Sequence, residues 1–251
     1  MPAIKSQSLL VIGGSSGIGF GVAQLAVAEG LCVAIASSNP ARVARAIEML
    51  KIRSADAKVI GYTIDLSHDD VEARLERLLA NVKSSFDNKP LNHVVFTAGE
   101  KLVGRKIDEI DLEYIRRISL VRFAATLLLG KSAPRYLENQ WSSSITLTGG
   151  KVAERPFPNY SAITAYASGL QGATRGLALG LKPIRVNLVQ PGLIHTEAHF
   201  GPGPSAQVAA ISETLPQKKI GTVEEAAQSY IYLMKDTNAT GGVVNTKAKN
   251  Y

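Results

Sequence analysis

Ser8-Leu9-Leu10-Val11-Ile12-Gly13-Gly14-Ser15-Ser16-Gly17-Ile18-Gly19-Phe20 is the stretch whose reading decides the fold. Its apolar run from Leu9 to Ile12 shows no polar alternation, as a strand buried on both faces requires. The glycines that follow permit positive φ and close backbone approach. Apolar residues from Phe20 to Ala28 then suit a helix, which Gly30 stops. At the start of such a helix the unpaired N–H groups attract phosphate oxygens. Because strand, glycine turn and helix stand in this order, nucleotide binding is favoured over a turn that needs glycine for packing alone.

Outward from there, strand and helix alternate. Strands are predicted over 31–36, 58–63, 93–97, 144–147, 185–188 and 241–245, with helices over 41–53, 69–83, 111–137, 164–181 and 222–235. Thr222-Val223-Glu224-Glu225 is a capping box for the last helix. The alternation predicts an α/β fold, a doubly wound Rossmann-type parallel sheet with helices on both sides. No linker or repeat divides the 251 residues, so residues 1–251 read as one domain. The single cysteine, Cys32, excludes an intrachain disulfide and a CxxC site. No leader pattern and no run of 18 apolar residues occurs, so neither secretion nor a membrane is expected, and the cytoplasm is the expected compartment. The formal charge of +7 is scattered rather than clustered, which argues for a phosphorylated ligand rather than nucleic acid.

The spacing Gly13-x-x-x-Gly17-x-Gly19 resembles the short-chain dehydrogenase/reductase family. Asp65-Leu66, Thr97-Ala98-Gly99, Arg185-Val186-Asn187, Gln190-Pro191-Gly192-Leu193-Ile194-His195-Thr196 and Gly221-Thr222-Val223-Glu224-Glu225 carry the same resemblance along the chain. It implies that Gly13, Ser15, Ser16, Ile18, Asp65, Leu66, Ala98, Gly99, Pro191, Gly192, Ile194 and Thr196 bind a nicotinamide dinucleotide across the carboxyl ends of the strands. An acidic residue at the end of the second strand would select NAD(H). Here Ser37, Ser38, Asn39 and Arg42 stand at that end instead, and they suit the 2′-phosphate of NADP(H).

Ordinary members reduce carbonyls with a Ser-Tyr-Lys set and a helix Asn. Matching the segment from Leu170 to Leu179 puts Ile163 at the Tyr and Ala167 at the Lys, with Gly150 at the Ser. Arg122 falls at the Asn, or Val121 does if the match slips by one. No lysine lies between Lys151 and Lys182, so the Tyr-x-x-x-Lys pair is absent in any register. Val121-Arg122-Phe123, Thr148-Gly149-Gly150 and Arg155-Pro156-Phe157-Pro158 are similar to a tetrad-less branch of the family. That branch includes fungal NADPH-dependent reductase/cyclase enzymes of indole-alkaloid pathways. Those enzymes carry an Asp and a Trp where Phe157 and Tyr160 stand here.

Three functions follow. The first is reduction of an apolar small molecule, an imine or iminium, a carbonyl or an activated alkene, with secondary metabolism as its setting. The second is a non-redox cyclisation or isomerisation on a cofactor scaffold, and the third is NADP(H) binding without catalysis. For reduction, Arg122 is the candidate electrostatic stabiliser, and Lys151, Glu154 and Tyr160 are the candidate proton donors. The resemblance also implies a homodimer or homotetramer, and a substrate-covering lid over 197–217 containing Gly201-Pro202-Gly203-Pro204. Around it Phe157, Tyr160 and Phe200 are candidate pocket walls. Asn245-Thr246-Lys247 replaces the usual Asp-Gly-Gly near the end. His195 and His199 lack a carboxylate set at ligand spacing, so no metal is expected.

Overall fold

The computed structural model describes residues 1–246 except Ala55, Lys101, Pro202 and Pro204, and leaves out the side chains of Ala198 and His199. Seven strands form one parallel sheet in the order β3-β2-β1-β4-β5-β6-β7. They are β1 (Ser8–Ile12), β2 (Cys32–Ser37), β3 (Val59–Thr63), β4 (His93–Phe96), β5 (Ser144–Thr148), β6 (Arg185–Pro191) and β7 (Val243–Thr246). All five residues of β1 and all seven of β6 are buried. Both faces of the sheet are therefore covered, which fits the apolar run from Leu9 to Ile12 in β1, while β6 also buries Arg185, Asn187 and Gln190.

On one face lie α1 (Gly17–Ala28), α2 (Pro40–Arg53) and α9 (Val223–Lys235); on the other lie α3 (Val71–Ser85), α5 (Ala125–Ser132) and α6 (Ser161–Gly180). Leu10, Ile12, Val94 and Phe96 point to the second face, and Leu9, Val11, Val33 and Ile35 to the first. The chain leaves β1 toward β2 and returns to β4 on the other side of β1. This is the topological switch point at which doubly wound sheets bind ligands beyond the strand ends.

The caps follow the sequence. Asn39 Oδ1 accepts the Arg42 N–H at 2.9 Å at the start of α2. Thr222 and Glu225 form the reciprocal box of α9, at 3.2 and 2.9 Å. At the other end of α9, the buried Arg185 guanidinium donates to the carbonyls of Leu233, Met234 and Asp236 at 2.7–3.1 Å. It thereby satisfies acceptors that a helix end leaves open.

The single helix expected over 111–137 is instead broken. α4 (Leu112–Ser119) runs into a π-helical turn, Leu120–Ala124, before α5, and Ala133–Arg135 is a 3-10 turn. Pro134 accounts for the end of α5, because it supplies no N–H and crowds the preceding turn. Two helices, α7 (Glu197–Phe200) and α8 (Ala206–Thr214), stand within the stretch read as a lid. No helix among the described residues is long and apolar enough to cross a membrane.

Candidate active site

The glycine turn is fixed by its neighbours. Gly13 has φ +95°, and a Cβ there would sit 2.5 Å from the Ala98 nitrogen and 2.7 Å from Thr97 Oγ1. The turn after β1 therefore lies directly on the segment after β4. Gly17, at φ +52°, faces Thr196, with a would-be Cβ 3.5 Å from Thr196 Cγ2. Three of the segments read as cofactor-binding thus meet at the carboxyl edge of the sheet. No side chain caps α1. The Ser15 hydroxyl is buried with no partner among the described residues. An open helix start beside an orphaned hydroxyl suits phosphate oxygens, so these residues fit a dinucleotide.

Ser37 closes β2 half-buried, while Ser38, Asn39 and Arg42 are exposed. Asn39 spends its oxygen on the helix cap. Asp65 accepts the Ser67 hydroxyl at 2.7 Å and the Ser67 N–H at 2.9 Å. These bonds, chiefly the one from the hydroxyl, hold its carboxyl below the usual range. Leu66 beside it is buried.

At the reacting end, a Cβ on Gly150 would meet nothing within 4 Å. Thr148, the nearest hydroxyl in sequence, points away. Its Oγ1 is 2.7 Å from the Tyr230 hydroxyl on α9, on the opposite face of the sheet. Ile163 (0% exposed) and Ala167 (5%) pack with Val152 into a small apolar cluster bordered by Leu102, Ile118, Tyr160 and Tyr166. Where the family resemblance puts Tyr and Lys, this chain has hydrocarbon.

Arg122 sits in the π-helical turn. Its guanidinium lies against Gly99, where any side chain would collide with it, and Nη2 donates to the Glu100 carbonyl at 2.5 Å. Burial lowers its pKa from the usual arginine value. The Tyr166 hydroxyl nearby is buried and has no partner among the described residues. Burial pushes its pKa up to about 12, the Arg122 charge opposes that rise, and Tyr114 and Tyr160 add to it. Tyr160 packs its ring against Gly104 and meets Phe157 edge-on, with centroids 5.7 Å apart.

The structure therefore gathers Arg122 and Tyr160 around Tyr166. It leaves Glu154 exposed on its loop. Lys151 lines a cavity of about 350 Å³ together with Gly192, Leu193 and Ile194. Tyr166 is not among the site residues expected from the sequence, because the residue four further on is Leu170 and not a lysine. Its offset of three from Ile163 on a helix was the available signal. His195 stacks on Phe200 and bonds the Gly203 carbonyl at 3.1 Å. Pro202, Pro204, Lys247 and the His199 side chain lie outside the described residues. No group of three metal ligands occurs among those described.

Comparison with known proteins fits this geometry. Residues 3–251 match the model of an SDR-like Rossmann domain. The chain is 42% identical over 250 residues to the short-chain dehydrogenase/reductase ATR9 of Stachybotrys chlorohalonatus, covering 98% of this chain and 97% of that protein. It is 40% identical to fsr5 of Gibberella fujikuroi, another short-chain dehydrogenase/reductase, over 97% of this chain and 94% of that one. The chain belongs to the short-chain dehydrogenase/reductase family.

As in this family of oxidoreductases generally, the dinucleotide cleft implies a nicotinamide nucleotide. Among solved structures, the MalC reductase/Diels-Alderase of Malbranchea aurantiaca superposes on this short-chain dehydrogenase/reductase with a TM-score of 0.91 at 35% identity. The match covers 98% of this chain and 96% of that one.

Proposed function

We propose that residues 1–251 form one NADP(H)-binding domain that reduces an apolar small molecule in secondary metabolism, as a cytoplasmic homodimer or homotetramer. When bound, the reduced nicotinamide supplies a hydride to an electrophilic carbon of the substrate. Gly13, Ser15, Ser16 and Ile18 would hold the pyrophosphate, and Ser37, Ser38, Asn39 and Arg42 the 2′-phosphate. Asp65, Leu66, Ala98 and Gly99 would flank the adenosine, while Pro191, Gly192, Ile194 and Thr196 would hold the nicotinamide.

The observation that carries the choice of reaction is the Arg122 guanidinium laid on Gly99 and Glu100. With Gly150, Ile163 and Ala167 in place of the tetrad, Arg122 is the charged group packed against Gly99, at the carboxyl end of β4. A fixed cation opposes a cationic iminium and stabilises an oxygen that gains negative charge. A carbonyl or a conjugated enone is thus favoured over a C=N⁺ group. Arg122 stabilises the developing oxyanion, and Tyr160, which borders the same apolar cluster as Tyr166, is the proton donor. Phe157 in place of a carboxylate points the same way, since nothing acidic is supplied there to pair an iminium.

The test is loss of NADPH absorbance with purified protein and a panel of ketones, enones and cyclic iminium ions. Arg122→Ala should slow ketone or enone turnover by about 10²–10³-fold. Faster iminium reduction by wild type, rising further in Arg122→Ala, would overturn the carbonyl assignment.

A further inference from the structure

The cavity beside Lys151 has a chemical character of its own. Its apolar walls come from Leu193, Leu215 and Ala226, and its polar ones include Lys151 and Thr246. Lys151 is half-buried as a residue, and its ammonium makes no hydrogen bond or ion pair among the described residues. Thr246 Oγ1 is buried and equally unpartnered. Lys219 is bonded to Glu225, so the one carboxylate among the described lining residues is already neutralised. That bond is the main cause holding the Glu225 carboxyl below its usual range.

An ammonium without a counter-charge attracts an anion, and an orphaned hydroxyl alongside adds a donor. A volume of about 350 Å³ lies at the small end of ligand pockets. Gly192 and Ile194 belong both to this cavity and to the segment assigned to the nicotinamide.

We propose that this cavity receives the carboxylate end of the substrate, with Lys151 and Thr246 binding its oxygens, so that the natural substrate is an organic acid carrying the reducible carbonyl or enone. Lys151 acts here as a specificity-determining residue and keeps its charge throughout. The proposal rests on the reductase function argued above, which places the reacting carbon beside Gly192 and Ile194.

The test is calorimetric binding of 4-acetylbenzoate and of its methyl ester to the NADP⁺-loaded protein, which needs no turnover. The acid should bind at least about tenfold more tightly than the ester, the scale of one charge-assisted contact. That preference should vanish in Lys151→Met, persist in Lys151→Arg and shrink several-fold in Thr246→Val. Equal affinities, no binding of the acid, or a preference that survives Lys151→Met would overturn it. If Lys151→Met fails to fold, the acid–ester comparison on wild type and on Thr246→Val decides. NADPH oxidation is read separately. Oxidation by ketones without any preference for acids sinks this proposal and leaves the reductase. A carboxylate preference without oxidation does the reverse.

Discussion

Ser38 stands exposed just beyond the end of β2, where an acid would face the ribose 2′ oxygen. Ser38→Asp should weaken NADPH binding by about 10–100-fold and leave NADH nearly unchanged, one or two tenfold steps for one repelled phosphate. Equal losses for both nucleotides in a fluorescence titration would contradict the assignment. Gly13 admits no substituent, because φ is +95° and the Ala98 nitrogen occupies the space. The positions of Gly13 and Ser38 were both legible in the sequence, since each directly follows a strand end. Tyr166 was not, because its importance comes from Arg122, which approaches it from another element, and from Tyr160 at the start of its own helix. Its unpartnered hydroxyl gives a prediction with an unusual sign. Tyr166→Phe should leave stability unchanged or raise it by up to about 1 kcal/mol in urea unfolding, because it removes an unsatisfied buried oxygen. A loss of that size would mean the hydroxyl has a partner in solution.

The alternation of strands and helices was readable because the sheet is buried on both faces, so β1, β2 and β4 are short, largely apolar runs between turn residues. The break in the helix between α4 and α5 was not. The π-helical turn inserts without any glycine or proline, and Ser119 Oγ bonds back to the Ile115 carbonyl at 2.8 Å just before it. That turn carries Arg122, so an irregular element sets the direction of the proposed stabiliser. The helices α7 and α8 were also missed. The Gly-Pro sequence between them reads as loop, whereas Ser205 caps α8 by accepting the Val208 N–H at 3.2 Å. At the opposite edge of the sheet, Arg185 joins β6 to the end of α9 through carbonyls from both flanking segments. Arg185→Met should cost about 3–5 kcal/mol in chemical denaturation, because it strands several buried acceptors at once. It should leave cofactor affinity in the surviving folded fraction unchanged.

Across the whole molecule, the residues read as cofactor-binding lie at the carboxyl edge of the sheet, and buried polar groups with a structural role lie at the amino edge. His93 is one of the latter, fully buried between Ser144 Oγ at 2.8 Å and Gln7 Oε1 at 2.7 Å. Burial, with a smaller contribution from the Arg185 charge, takes its pKa down to about 3 from the usual 6.5. The folded state therefore binds fewer protons than the unfolded chain between those values. His93 costs no stability above pH 6.5 and up to about 1.4 kcal/mol per pH unit as the pH falls toward 3. Urea midpoints should fall with acidification over that window, and His93→Asn should flatten the slope.

The most direct measurement of the reaction itself is a single turnover with NADPH deuterated at the transferred position, followed by mass spectrometry of the product. One deuterium in the product per NADPH consumed is the outcome that hydride transfer without the tetrad demands. A product that is rearranged or cyclised, with no deuterium and with the nucleotide still reduced, would show that the cofactor only shapes the site.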